Sequence, residues 1–210
     1  MSIFGAGARR MIKSLTTRIA AFIRNRDGIA AVEFAFVAPI LLILYFMTVE
    51  AVQGIETNRR LSRLGSMVAD LVGQQDALSA TALKEIIQIS ESTMRPYTRS
   101  VPEVTVTAIQ ISSDAKGAVP KVVWSGTVDS KGKYAKALSA GSTVAVPAAL
   151  KTGDSFLIRV ESRLTYWPIL LWPKEGDAAS GLMGIFTGLR MEEVYYARPR
   201  IRREIACATC

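Results

Sequence analysis

The chain of 210 residues contains no histidine and only two cysteines. Histidine is the side chain that most often serves as a general base and as a zinc ligand. Its absence excludes hydrolases of the Ser-His-Asp and Cys-His types. Two cysteines cannot by themselves supply the four ligands of a structural zinc site, and no glycine-rich phosphate loop is present. We therefore predict that the protein is not an enzyme and that it binds no metal, no cofactor and no small-molecule substrate.

Acidic residues are scarce at the N-terminal end of the chain. The protein has 26 basic and 18 acidic residues, for a net charge of +8. Residues 1–28 hold six of the basic residues and a single acid, Asp27. The rest of the chain is nearly balanced, which argues against the broad phosphate-binding face of a nucleic-acid-binding protein. We predict no nucleic acid partner, and we assign the positive charge to an N-terminal arm.

An uninterrupted apolar run, residues 29–49, follows this arm. Glu33 is its only side chain that would be charged at neutral pH. At 1.5 Å per residue a helix of this length spans about 30 Å, the thickness of the hydrocarbon core of a bilayer. A buried helix of a soluble protein and a cleaved secretory signal both fit less well, because the run is long and no small-residue cleavage site follows it. We predict one transmembrane helix.

The basic arm also predicts the orientation of that helix. Six basic residues precede the span, whereas only Arg59, Arg60 and Arg63 follow it closely, so residues 1–28 should stay in the cytoplasm and the remainder should cross the membrane. Apolar residues recur at helical spacing within the arm, which favours an amphipathic helix on the anionic inner leaflet. A poorly ordered leader is the alternative.

Glu33 is an unusual residue for a membrane helix, because a carboxylate there costs about 2.5–3.5 kcal/mol on insertion scales. Gly28 is the last small residue before the apolar run, and Glu33 is the fifth residue after it. This junction resembles the processing site of type IV prepilins and pseudopilins, where a membrane aspartyl peptidase cuts after a glycine. By that resemblance Gly28 would be the last leader residue, Ile29 the new N-terminus, and Glu33-Phe34 the acid–aromatic pair. The alternative is that Glu33 lies near the membrane interface and has no role.

Cleavage at this junction would create a positive charge that can pair with the Glu33 carboxylate. The new α-amine of Ile29 would be positive at neutral pH. A pair between this amine and Glu33 of a neighbouring subunit would neutralise both groups in a low-dielectric setting and set the stagger of a fibre, although desolvation offsets much of the attraction.

A longer stretch, RDGIAAVEFAFVAPILLILYFMTVEAVQ, resembles the N-terminal segment of TadE-like proteins. The resemblance rests on Gly28, the sequence Ala31-Val32-Glu33-Phe34, Pro39 followed by aliphatic residues, and Glu50 just beyond the span. It implies a minor pseudopilin or assembly protein of a Tad-type (Flp) pilus, held in the bacterial inner membrane with its head in the periplasm. The partners implied are a prepilin peptidase, other pseudopilins and further Tad assembly proteins. Pro39, inside the apolar helix, should bend it locally.

The remainder of the chain predicts an α+β head. A helical stripe continues to Gly73, which gives one long helix from Ile29, with a break at Gly54 as the alternative. A second helix is predicted over 79–94, capped by Ser79 or Thr81. Alternation then predicts strands, and residues 129–153 form a loop with a short helix near 146–151. The predicted strands are 103–111, 120–126, 155–167 and 191–200.

These elements predict a long pilin-like N-terminal helix and a head of one further helix with a roughly four-stranded antiparallel sheet. The domains would be a cytoplasmic leader at 1–28, the transmembrane helix with its extension at 29–75, and a periplasmic head at 76–210. The apolar stretch 167–188 would be a loop that either covers the sheet or binds a partner or the membrane. Cys207 and Cys210 would form a structural disulfide, within one chain or between chains, because the outer side of the membrane permits it.

Three functions are compatible with this interpretation. The first is a cleaved pseudopilin that supports pilus biogenesis and surface adhesion. The second is an uncleaved single-pass membrane scaffold with a periplasmic binding head. The third, a membrane-tethered hydrolase, lacks any catalytic group of residues.

Overall fold

The computed structural model of the protein describes residues 28–114, 117–168 and 188–210. The amphipathic helix predicted for the arm lies outside these residues. So does the greater part of the apolar stretch predicted as a loop.

A long helix, α1, comprises 45 residues, Ile29–Gly73. It continues through Pro39 and through Gly54, so the alternative of a break at Gly54 is wrong. By its internal contacts the chain divides into two compact units, and the division falls within α1, between Val49 and Glu50.

The part of α1 that belongs to the first unit, 29–49, exposes its apolar side chains. Phe34 and Phe36 are 70% and 73% exposed, and the aliphatic residues from Ile40 to Leu44 are each more than half exposed. Among the described residues, α1 is the one helix that is long and apolar enough to cross a membrane. Such a surface is stable in hydrocarbon rather than in water.

The second unit contains a five-stranded antiparallel sheet. Its strands are β2 (Glu103–Asp114), β3 (Gly117–Val128), β4 (Tyr134–Lys136), β5 (Ser155–Tyr166) and β6 (Leu189–Ala197). Their order in the sheet is β4-β3-β2-β5-β6. The α+β class is confirmed, but the prediction of four strands is wrong by one. The missing strand is β4, whose three residues lie in the segment predicted as a loop and are too few to show an alternating pattern.

Two very short strands, β1 (Ala77–Leu78) and β7 (Ala206–Cys207), pair in parallel. A second helix, α2, follows as Ala80–Glu91 and continues as a single 3-10 turn, Ser92–Met94. Ser79 caps α2 by accepting a hydrogen bond from the backbone N–H of Ala82 at 3.2 Å, which satisfies one of the free donors at the helix start.

The main core lies between the sheet and the C-terminal part of α1 with α2. Leu61, Leu64 and Val68 of α1 are fully buried, as are Val104 and Val106 of β2. The approach is close at Gly65, because a Cβ there would lie 3.2 Å from the Ser162 hydroxyl on β5. The spacing of apolar residues along α1 thus fixes which face of the helix covers the sheet.

The sheet carries a second, smaller core on its other face, and the register between β2 and β3 shifts where this core begins. The shift falls between Ala108 and Ile109. Before it, Val104, Val106 and Ala108 point into the main core. After it, Ile109 and Ile111 belong to the second core, with Val146 from the following loop. Ile109 and Ile111 face this second core because side chains alternate along a strand. The extra residue of the bulge lies in β3, where it turns Val122 to the face opposite Trp124.

Candidate processing and assembly site

The junction between Gly28 and Ile29 lies at the start of α1. The Gly28 carbonyl accepts the first helical hydrogen bond, from the Val32 N–H at 3.1 Å, and both Gly28 and Ile29 are exposed. Among the described residues, leaving out Gly28 itself and its chain neighbours, no atom lies within 4 Å of the position that a Cβ of Gly28 would occupy. The described part of the fold therefore has room for a larger residue at this position.

Glu33 and Phe34 lie one turn further along the same helix, and both are exposed. Ile29 and Glu33 are four residues apart, so their side chains lie on one face of α1, about 5–6 Å apart between Cβ atoms. Within the part of the chain that the structure describes, no side chain forms an ion pair with Glu33.

Pro39 lies inside the exposed apolar part of α1. Because proline has no backbone N–H, the carbonyl of Ala35 loses its usual helical donor. The helix nevertheless continues on both sides of it, and the local bend stays a prediction.

Glu50, the acid just beyond the apolar run, is buried in the second unit. It is 1% exposed, and the Tyr166 hydroxyl donates a hydrogen bond to its Oε1 at 2.6 Å. A buried carboxylate needs such a donor, because an unpartnered one would pay its full desolvation cost. Glu50 stands out in the sequence because it directly follows the apolar run, whereas no local pattern marks Tyr166, which lies 116 residues away along the chain.

Tyr166 is itself held by neighbouring residues at the end of β5. Its ring stacks on Tyr97 with centroids 5.4 Å apart, and the Tyr97 hydroxyl accepts a hydrogen bond from the Trp167 N–H at 2.8 Å. Burial and the bond to Glu50 raise the pKa of Tyr166 well above its ordinary value. The phenol therefore stays protonated and keeps its role as the donor to Glu50.

The sulfur atoms of Cys207 and Cys210 are bonded to each other. Next to them, the Thr209 hydroxyl accepts a hydrogen bond from the Ala80 N–H at 2.8 Å, at the start of α2. Ile205, 1% exposed, offers its carbonyl to the Trp124 indole N–H at 2.8 Å. The C-terminal segment is thus fixed against the body of the second unit.

In the described ranges, no group of three or more histidine, cysteine, aspartate or glutamate side chains is placed to hold a metal ion. The candidate site therefore consists of the exposed junction at Gly28, the exposed carboxylate of Glu33 in an apolar helix, and the buried carboxylate of Glu50 where the second unit begins.

Comparison with known proteins gives one family match. The model of the TadE-like protein family matches residues 28–69, about a fifth of the chain. The matched segment begins at Gly28 and contains Ile29, Glu33, Phe34, Pro39 and Glu50. No curated protein and no solved structure matches the chain. Residues 28–69 are therefore a TadE-like segment, as the resemblance in the sequence predicts.

Proposed function

We propose that the protein is a minor pseudopilin or assembly component of a Tad-type pilus. It is anchored in the bacterial inner membrane by the first half of α1, with residues 1–28 in the cytoplasm and the head in the periplasm. A prepilin peptidase cuts it after Gly28, and the mature chain supports pilus biogenesis and surface adhesion with other pseudopilins and Tad proteins.

The observation that carries this proposal is the position of Gly28 and Glu33 within the TadE-like segment. The family match starts at Gly28, and the exposed Glu33 follows at the fifth position of an exposed apolar helix. The described residues leave room for a side chain at position 28, so they do not require a glycine there. A peptidase that must fit an extended backbone into its active site would need one, because glycine has no side chain to obstruct it.

The processing step is tested by exchanging two glycines of the same helix. Gly28→Ala should leave most of the protein uncleaved in cells that contain the peptidase, while Gly54→Ala should be cleaved like the parent. Both substitutions should fold, since a Cβ at Gly28 meets nothing and one at Gly54 makes only an ordinary contact of 3.8 Å with the Tyr166 ring. Equal cleavage of both variants, measured by the mass of the protein from the membrane, would contradict the proposal.

The assembly step is tested at Glu33. Glu33→Gln should insert normally, because removing the charge lowers the cost of placing the side chain in the bilayer. It should reduce the number of pili, because the Ile29 amine of a neighbouring subunit loses its counter-charge. Glu56→Gln is the matched control, since Glu56 forms a half-exposed pair with Arg60 at 3.1 Å within one helix, and such i,i+4 pairs contribute little to stability.

Normal piliation with Glu33→Gln would count against the assembly role. If the parent is never cleaved in cells that contain the peptidase, the chain is better described as an uncleaved single-pass membrane scaffold.

A further inference from the structure

Two side chains from different parts of the chain cap the start of α2. Ser79 accepts a hydrogen bond from the backbone N–H of Ala82 at 3.2 Å, and Thr209 accepts one from the backbone N–H of Ala80 at 2.8 Å. The first N–H groups of a helix have no acceptor within the helix, so each needs another partner. Thr209 lies 129 residues from Ala80 along the chain. Its cap therefore depends on how the segment that carries it is held.

The segment 205–210 is held most firmly at its first residue. Ile205 is 1% exposed, and its carbonyl accepts the hydrogen bond of the Trp124 indole N–H at 2.8 Å. Beyond it, β7 pairs with β1 through two residue pairs, and the Ala208 N–H donates to the Leu78 carbonyl at 3.3 Å. Ala208 and Thr209 are both exposed. The noncovalent attachment thus weakens along the segment toward Thr209.

The disulfide closes the weakly attached part of the segment into a ring. It joins Cys207 to Cys210, so Thr209 lies within the ring, and both cysteines pack against the main core. Fixing the backbone of three residues costs more conformational freedom than two neutral hydrogen bonds return. The ring removes much of that freedom beforehand, and reduction of the disulfide would restore it.

The effect of reduction should end near Ile205. The hydrogen bond from Trp124 to Ile205 involves neither sulfur atom, and Leu83 of α2 is fully buried in the same core. A reduced protein would therefore lose the cap on Ala80 and the contact of Ala208, while the sheet and the rest of α2 keep their structure.

We propose that the Cys207–Cys210 disulfide is a redox switch for the start of α2. Thiols stay reduced in the cytoplasm and form disulfides on the outer side of the membrane. Oxidation would hold Thr209 on α2 once the head has left the cytoplasm, and reduction would release it. The proposal rests on the periplasmic head of the proposed function, and it is independent of cleavage and of pilus assembly.

The oxidant that the switch needs is the disulfide of a thiol–disulfide oxidoreductase. The thiolate of one cysteine attacks that disulfide and forms a mixed disulfide, and the second cysteine then displaces the oxidoreductase. The bond between Cys207 and Cys210 forms, and the disulfide bond of the oxidant breaks. The oxidant takes up the two electrons and two protons that the cysteines lose, and it leaves as a dithiol. Dithiothreitol, a small dithiol, reverses the reaction in the purified protein.

The first test compares the oxidised full chain in detergent with the same protein treated with dithiothreitol, by NMR. Reduction should speed hydrogen exchange of the Ala80 amide about 2- to 13-fold, as expected for the loss of one neutral hydrogen bond. The Ala208 amide should also exchange faster, while the amide resonances of β2 and β5 keep their positions. Cys207→Ser/Cys210→Ser should behave like the reduced parent with or without dithiothreitol, which controls for side effects of the reagent.

The second test removes the Thr209 hydroxyl while the ring stays closed. Oxidised Thr209→Val should show the same faster exchange at Ala80 as the reduced parent, and dithiothreitol should not increase it further. Thr209→Ser keeps a hydroxyl and is the matched control, so it should exchange like the oxidised parent. Thr209 is exposed, so neither substitution disturbs the core.

Equal exchange of Ala80 in the oxidised and reduced parent would overturn the proposal, and so would unchanged exchange in Thr209→Val. Resonance shifts that extend through β2 and β5 on reduction would also overturn it, because the disulfide would then hold the whole head.

The redox state in cells separates this inference from the processing claim, when free thiols are trapped by alkylation and the chain is weighed intact. Free thiols in chains that have lost residues 1–28 would refute only the redox switch. A disulfide in chains that all keep residues 1–28 would support the switch and refute only the processing claim.

Discussion

Removing the Tyr166 hydroxyl tests the buried contact at the start of the second unit. In Tyr166→Phe the ring keeps its stacking on Tyr97, but the Glu50 carboxylate loses a donor at 2.6 Å while staying 1% exposed. Hydrogen bonds to charged groups contribute about 1.5–3 kcal/mol. We therefore expect the free energy of unfolding to fall by about that amount, and Tm to fall by roughly 3–12 °C for a chain of this size.

A double-mutant cycle separates this bond from other effects of the substitution. In a Glu50→Gln background the acceptor is neutral, so Tyr166→Phe should cost only about 0.5–1.5 kcal/mol. Tyr195→Phe is the control: Tyr195 is 44% exposed, and its loss of a hydroxyl should change stability by less than about 0.5 kcal/mol. Thermal unfolding of the full chain in detergent, followed by tryptophan fluorescence, compares the parent with Tyr166→Phe, Glu50→Gln, the double variant and Tyr195→Phe. An equal cost in both backgrounds would refute the charged hydrogen bond.

The same contact gives the unfolding free energy a pH dependence. The raised pKa of Tyr166 means that the folded protein holds this proton more tightly than the unfolded chain. The contribution to stability is complete below about pH 10, the ordinary value for tyrosine, and is lost as the pH rises above it. Unfolding measured across this range should therefore show a steeper alkaline decline in the parent than in Tyr166→Phe. Parallel curves of unfolding free energy against pH for the parent and Tyr166→Phe would contradict this contribution of Tyr166.

Two further substitutions test the packing of the head. Gly126→Ala should lower the free energy of unfolding by about 1–3 kcal/mol, because its Cβ would lie 2.6 Å from the Tyr134 ring. The control Gly54→Ala, whose Cβ would have no contact closer than 3.8 Å, should lower it by less. Equal losses of both variants in urea titrations would disprove the clash at Gly126. Cys207→Ser should lower the free energy of unfolding by about 2 kcal/mol, the value expected when a disulfide closes a small loop, since this disulfide joins residues three apart. The parent treated with a reductant should match Cys207→Ser, and a parent that is indifferent to reductant would show that the bond to Cys210 contributes nothing.

The long helix was predictable from sequence because its two halves carry strong and different patterns. The first half is continuously apolar, and the second half repeats apolar residues at helical spacing down to Gly73, where α1 ends. The strands with clear alternation were also predictable, although β2 and β3 each extend beyond the predicted limits. The strand β4 was missed because its position depends on pairing with β3 rather than on its own three residues.

The membrane part of the candidate site follows from local sequence, whereas the buried part does not. Gly28 and Glu33 are recognised by their spacing and by the apolar run around them. The partner of Glu50 depends on the tertiary fold, because Tyr166 reaches it only when β5 packs beside α1.

The most direct test of the central claim is the intact mass of the unmodified protein recovered from the inner membrane of a host that contains the prepilin peptidase. If the peptidase cuts after Gly28, the recovered chain starts at Ile29 and lacks residues 1–28. A mass that still includes those residues in all of the recovered protein would contradict it.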